Sequence, residues 1–255
     1  MSRLTEKTLR SGLRDAATRC EFLRRGLDEV GYPALRTREP GFEALMRVIV
    51  GQQLSVHAAA AIWGRVEALV QPMTPQQFLR FDDDKLRAAG LSRQKIAYMR
   101  SLADLVASGN VDFERIPTLD DDSAIAELIQ IKGIGRWTAE VYMLFAHGRR
   151  DVWPTDDLAL MVAAQRLRGM RKRPNKKQML KLAEAWRPWR GAVSMFLWHY
   201  YRAASGKKAN ESGLYGGTGT AKPRTATSAA RQKATPKEPA PKRPAPKRKV
   251  GARAS

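Results

Sequence analysis

Two short stretches of this chain carry residue types that can do chemistry. The first is Leu128-Ile129-Gln130-Ile131-Lys132-Gly133-Ile134-Gly135-Arg136-Trp137-Thr138-Ala139-Glu140. An apolar helix runs up to Ile131 and a second begins at about Arg136, with Gly-Ile-Gly between them. Two glycines one residue apart allow positive φ and a tight turn, and they leave backbone N–H groups uncovered. Beside a helix N-terminus such groups favour an anion, for instance a phosphate. Ile134 would point inward and lock the two helices together. Lys132 and Arg136 flank the turn with positive charge.

The second stretch is Asp151-Val152-Trp153-Pro154-Thr155-Asp156-Asp157-Leu158. Pro154 ends any preceding element, and Thr155 or Asp156 can cap the helix that follows. Asp157 then falls in the first helical turn, where the helix dipole favours its ionised form. An anionic carboxylate there can stabilise a developing positive charge or take a proton from water. The bland alternative is a plain helix cap.

Both stretches can meet in space. A helix from Arg136 to His147 is about 18 Å long at 1.5 Å per residue. The loop from Gly148 to Pro154 can reach about 24 Å. The chain can therefore travel back and set Asp157 beside the Gly-Ile-Gly turn.

The elements that would position these residues read as helices throughout. Apolar residues recur at three- and four-residue spacing over 42–50, 55–70, 92–107, 123–131, 136–147, 157–168, 175–186 and 189–202. No stretch sustains an alternation of period two. Gly51, Pro72, Gly90, Pro117, Gly133, Pro154, Gly169 and Pro174 punctuate the pattern, so connections are short. Leu9, Leu13, Ala16, Cys20, Leu23 and Leu27 are spaced as one helix face, which makes Cys20 a core residue. The expected class is all-α, with a helical domain at 1–204 and a disordered Lys/Pro/Ala-rich tail at 205–255.

Charge points to the partner. The 255 residues carry a formal net charge of +21. The tail from Ala203 holds 13 Lys/Arg against 2 Asp/Glu, and residues 1–202 hold 33 against 23, so the body is basic without the tail. Phosphate neutralisation rewards such a balance, and nucleic acid is the first partner to consider. The tail has almost no large apolar residues to offset its ordering entropy. A single cysteine, Cys20, excludes an internal disulfide, a multi-thiolate zinc site and an iron–sulfur cluster. His57, His147 and His199 show no metal-ligand or triad spacing. No apolar run approaches the roughly 18 residues of a membrane span, and the N-terminus is no signal peptide. The expectation is a soluble protein acting in the cytoplasm at the nucleoid, or in the nucleus of a eukaryote, with no membrane partner.

Five ordered segments resemble the helix-hairpin-helix (HhH-GPD) DNA glycosylase superfamily, and within it the 3-methyladenine DNA glycosylase II branch. They are GQQLSVHAAA at 51–60, LSRQKIAYMRSLA at 91–103, LIQIKGIGRWTAE at 128–140, PTDDLAL at 154–160 and WRPWRGAVSMFLW at 186–198. The resemblance implies a compact two-lobed helical fold and base excision repair of double-stranded DNA. It implies that Asp157 is the catalytic carboxylate and that Trp137 and Trp198 line the pocket for the flipped base. It implies that Gln53 wedges into the DNA, and that Lys132, Gly133, Ile134, Gly135, Arg136 and Thr138 contact it. It also suggests a structural Na+ or K+ on the backbone carbonyls of Ile129, Ile131 and Ile134, with no cofactor required. The glycosylase-lyase branch has a lysine just after G-x-G-Arg, where this chain has Trp137, so a monofunctional enzyme is expected. Val141 stands where the family often has an aromatic residue. The expectation is a monomer that hydrolyses the N-glycosidic bond of alkylated purines. Two alternatives stay open: a glycosylase for another lesion (uracil, a deaminated or a mismatched base), and a non-catalytic DNA-binding module.

Overall fold

A computed structural model describes residues 3–204. The expected tail at 205–255 lies outside the described residues. Within them every regular element is helical. The helices are α1 (Glu6–Thr18), α2 (Glu21–Val30), α3 (Phe42–Gly51), α4 (Val56–Leu69), α5 (Pro75–Leu79), α6 (Asp83–Ala88), α7 (Arg93–Ala107), α8 (Asp121–Leu128), α9 (Arg136–Ala146), α10 (Leu158–Leu167), α11 (Lys176–Glu184) and α12 (Arg190–Ala204).

Local chemistry sets most of the starts. Thr5, Ser55, Thr74, Asp82, Ser92, Asp120 and Asn175 each accept a backbone N–H three residues on. Each cap satisfies one of the orphan donors of a first helical turn. Capping at Asp120 moves the start of α8 two residues ahead of the expected 123, and the helix ends at Leu128 rather than 131. The short helices α5 and α6 show no periodic signature in the sequence, because five or six residues complete barely one turn and a half.

The face expected over Leu9–Leu27 is not one helix. The chain turns at Arg19 and Cys20, and Cys20 is the N-cap residue of α2. All six apolar residues are nonetheless buried. Both helices turn the same face to one core, so the spacing runs on through the corner.

Two apolar clusters give the molecule two lobes. The first is built on α3 to α8, with Leu45, Ile49, Val66, Phe78, Met99 and Leu102 in its centre. In the second, α1 and α2 return to pack on α10, α11 and α12 through Leu9, Leu23, Leu160, Trp186 and Phe196. Helix α9 belongs to both. Ala139, Tyr142 and Met143 face the first cluster, and Val141, Leu144 and Phe145 face the second. Every residue from Thr138 to Ala146 is buried. A helix apolar on all sides must lie inside the protein, and α9 is the axle on which the site is mounted.

The loop after α9 is fastened along its length. The buried Arg149 guanidinium donates to the carbonyls of Pro117 (3.0 Å) and Leu119 (2.7 Å) and pairs with Asp121. Asp151 accepts from Arg187 (2.8 Å) and Arg190 (2.9 Å), which tie the loop to the start of α12. These anchors bring the chain back along α9, as its length permits.

Candidate active site and nucleic-acid interface

The turn between α8 and α9 takes its shape from Gly133. Its φ is +86°, and a Cβ there would collide with the Tyr98 ring of α7. Gly135 sits at φ −84° as the N-cap of α9, without a side chain to cap it. Of the two glycines, Gly133 alone uses the left-handed region. Ile134 is buried in the first core, as its inward orientation requires, and its N–H donates to the Ile131 carbonyl at 3.0 Å. Ser101 on α7 accepts the N–H of Lys132 at 3.1 Å. The turn is thus rigid, with the first N–H groups of α9 at its outer edge.

A second turn is tied to this one. Gln52 donates its side-chain amide to the Gly133 carbonyl at 3.0 Å. The next residue, Gln53, is exposed and held at φ +56°. A non-glycine residue in that region carries strain of order 1–3 kcal/mol, a pattern concentrated at functional sites. Arg136 pairs with Asp122 (3.2 Å) and Glu140 (2.9 Å), which shares its charge with the helix surface. Thr138 is only 8% exposed and sits in the wall of a small apolar cavity with Val141 and Phe145. Ile129 is exposed, while Ile131 is buried. The carbonyls at 129 and 131 lie just past the end of α8, and the one at 131 accepts the Ile134 N–H.

Asp157 occupies a different register from the one expected. It is not in the first turn of α10. It is the N-cap itself, and its Oδ1 accepts the Leu160 N–H at 2.9 Å. Asp156 is free of the capping role and takes φ +69°, with its carboxylate on Lys176 of α11 at 2.6 Å. The reversed backbone at Asp156 is what turns Asp157 inward, where it is 5% exposed.

A cap needs one carboxylate oxygen and one backbone N–H. Asp157 has more. The indole N–H of Trp137, from the first turn of α9, donates to Oδ2 at 3.0 Å. The indole N–H of Trp198, from α12, donates to Oδ1 at 3.1 Å. Three N–H donors thus converge on one buried carboxylate. The structure brings together all three residues singled out from the sequence. Trp153 and Trp186 instead pack against one another in the second core, 5.4 Å between ring centres.

Trp198 also stacks on Phe145, with ring centres 5.5 Å apart and planes 23° from parallel. Both rings border a narrow surface cleft whose wall includes Met195, Arg36 and Arg202. Burial lowers both guanidinium groups below the usual arginine range, and repulsion from Arg36 lowers Arg202 further.

Glu140 is the functional residue the sequence did not flag. It is 2% exposed. Its Oε2 accepts the Thr155 N–H at 2.7 Å, and its Oε1 accepts from Arg136 Nε. Burial pushes its carboxyl up, while Thr155 and Arg136 oppose that shift. Glu140 thereby joins the helix that follows the hairpin turn to the loop that carries Asp157. The signal was in the sequence: a charged residue inside the otherwise apolar run of α9.

Comparison with known proteins bears directly on this site. The family model described as "HhH-GPD superfamily base excision DNA repair protein" matches residues 46–188. The chain is 36% identical over 169 residues to DNA-3-methyladenine glycosylase 1 of Schizosaccharomyces pombe, covering 65% of this chain and 74% of that one. Its fold is similar to the crystal structure of a DNA-3-methyladenine glycosidase from Bacillus halodurans, with a TM-score of 0.71 and 35% identity over 76% of this chain and 91% of that one. It is also similar to the S. pombe 3-methyladenine DNA glycosylase solved in complex with abasic DNA, with a TM-score of 0.66 and 32% identity over 76% of this chain and 97% of that one.

Proposed function

Because the chain belongs to the HhH-GPD superfamily of base excision DNA repair proteins, we propose that it is a monofunctional glycosylase that hydrolyses the N-glycosidic bond of alkylated purines in duplex DNA. The observation that carries this reading is the convergence of Trp137, Trp198 and the α10 backbone on the Asp157 carboxylate. That arrangement fixes the position of the carboxylate in a buried site before substrate arrives. Relatives named for 3-methyladenine release support the substrate class.

The nucleotide must leave the helix for C1′ to be reached, at a cost of a few kcal/mol that is smaller for a damaged base. The first N–H groups of α9 and the hairpin turn receive the phosphate backbone, and Gln53 fills the gap left in the stack. A purine alkylated at N3 or N7 carries positive charge, so an electron-rich indole face suits it. The base lies against Trp137 and Trp198, the two indoles that hold Asp157. As the C1′–N bond breaks, the base leaves with the electron pair and positive charge builds on the sugar. Asp157 stabilises that charge, and water attacks C1′ while its proton passes to the carboxylate. The products are a free base and an abasic site. The reaction needs no cofactor. A Na+ or K+ on the carbonyls of Ile129, Ile131 and Ile134 would serve the turn alone. The working form is a monomer on damaged duplex DNA, in the compartment that holds the DNA. Among the described residues no helix is long and apolar enough to cross a membrane.

One observation favours a second reading. Arg36 and Arg202 border the cleft, and guanidinium groups oppose a cationic base but suit the carbonyl of a neutral deaminated purine. A single experiment addresses both. The protein and its Asp157→Asn variant are incubated with methylated duplex DNA and with hypoxanthine-containing duplex, and released bases are measured. Release of 3-methyladenine or 7-methylguanine by wild type alone establishes the alkylpurine reaction. Release of hypoxanthine alone establishes the second reading. No release from either substrate overturns both. Borohydride trapping of a covalent enzyme–DNA adduct would overturn the monofunctional mechanism.

A further inference from the structure

The net positive charge of the folded body is concentrated in one place. Between Asp157 and Glu184 the chain has eight Lys/Arg and no Asp/Glu. The whole of residues 1–202 holds 33 Lys/Arg against 23 Asp/Glu, so this one stretch accounts for eight of its net ten charges. All eight side chains are exposed. Five of them, Arg171, Lys172, Arg173, Lys176 and Lys177, fall within seven residues in the connection from α10 to α11 and the first turn of α11.

Such a run on a surface far from the chemistry would be an ordinary solvated face. This one is built against the catalytic loop. The ammonium group of Lys176 lies 2.6 Å from Asp156, the left-handed residue that aims Asp157 inward. The connection is also held in shape. Gln165 and Met170 exchange two hydrogen bonds, at 2.9 and 3.3 Å, and Asn175 caps α11 in a reciprocal box with Gln178. Pro174 is buried. Glu140 grips the loop of Asp157 from α9, which starts at the hairpin turn, and Lys176 grips it from α11. The loop that carries Asp157 is thereby tied both to the helix of the hairpin and to the basic connection.

We infer that Arg171, Lys172, Arg173 and Lys177 form a second docking surface for the sugar–phosphate backbone, separate from the hairpin, which holds the DNA flank next to the nucleotide delivered to Asp157. The inference rests on the DNA reading proposed above. Lysine and arginine at a backbone contact supply affinity without reading sequence, because each neutralised phosphate releases condensed counterions. The partner is thus a duplex of any sequence.

The test uses the full chain. Lys172→Glu/Arg173→Glu is compared with wild type and with Lys7→Glu/Arg14→Glu, which makes the same charge change on exposed positions of α1. Binding to an undamaged fluorescent duplex is titrated at several salt concentrations, and base release is followed at saturating DNA. Each lost phosphate contact lowers the slope of log affinity against log salt by about 0.9. The expected result is a slope lower by roughly two for the 172/173 variant, a smaller change for the α1 variant, and an unchanged rate of release once DNA saturates. A wild-type slope for the 172/173 variant overturns the inference. So does an equal loss in the α1 variant, which would mean net charge alone, or a lower rate at saturation, which would mean a role in the chemistry. If wild type releases no base yet the slopes separate as expected, the glycosylase reading fails and the docking surface stands.

Discussion

The indole N–H of Trp198 lies 3.1 Å from Oδ1 of Asp157, although the two residues are 41 positions apart. The same oxygen accepts the Leu160 N–H and so caps α10. One carboxylate therefore serves the fold and the proposed chemistry together, and the two duties can be separated by substitution.

Asp157→Asn keeps a residue that caps well, whereas Asp157→Ala does not. The Asn variant keeps the cap but sets its amide N–H against one indole N–H, so it should unfold about 1–3 kcal/mol below wild type, and the Ala variant about 1 kcal/mol lower still. Both should lose base release. Denaturant unfolding and a release assay on methylated duplex check this. A fully active Asn variant would leave Asp157 as a cap only.

Trp198→Phe removes one N–H donor and keeps an aromatic ring against Phe145. A hydrogen bond to a charged group contributes about 1.5–3 kcal/mol. The rate of release at saturating DNA should fall by roughly 10- to 100-fold, with duplex affinity little changed. Trp137→Phe should behave in the same way, since its bond to Oδ2 is of similar length. Single-turnover kinetics would show it.

Glu140→Gln keeps an acceptor for the Thr155 N–H but removes the charge that pairs with Arg136. Release should slow while DNA affinity stays close to wild type. Because burial raises the Glu140 carboxyl above its ordinary range, acidification protonates it earlier than an exposed glutamate. Protonation weakens the carboxylate as acceptor for the Thr155 N–H and for Arg136. Wild-type activity should therefore begin to fall at a pH above the usual glutamate range, and the Gln variant should lack that component of the acid limb. For stability the sign is opposite: a raised carboxyl contributes most when protonated and loses that contribution as pH rises.

His147 ends α9 beside Tyr142, and its Nε2 is buried without a hydrogen-bond partner among the described residues. Burial, with Arg149 and Arg3 nearby, pushes it down to about 4. A lowered histidine contributes stability above its unfolded value near 6.5 and loses it as pH falls through the folded value. Unfolding free energy should decline between about pH 6.5 and 4, by on the order of 1–2 kcal/mol after solvent screening. His147→Gln should flatten that decline in denaturant titrations across the window.

Gly133→Ala places a Cβ at φ +86° and against the Tyr98 ring. The backbone strain alone costs about 1–3 kcal/mol. Stability should fall by at least that much, and duplex binding should weaken because the hairpin N–H groups move. Thermal unfolding and anisotropy titration report the two effects separately.

The sequence by itself determined the class of fold, eight of the helical segments to within a few residues, and the two stretches where chemistry is placed. It could do so because amphipathic spacing, caps and Gly-x-Gly turns are local properties. It also carried Trp137, Asp157 and Trp198, through the family's motifs. Tertiary structure decided how those residues meet. Asp156 and Asp157 are adjacent acids, and capping chemistry suits either one. The left-handed backbone at Asp156, stabilised by Lys176 from α11, makes Asp157 the cap and turns it toward two indoles from distant helices. The corner at Cys20 was hidden for a related reason, since two helices facing one core keep a single periodicity. The role of Glu140 arises because the fold buries every side of α9 and gives that carboxylate a partner in Thr155. Spacing along a chain reports which face of a helix is apolar, but the partner of a buried polar group comes from a remote segment, and that pairing exists only once the lobes have packed.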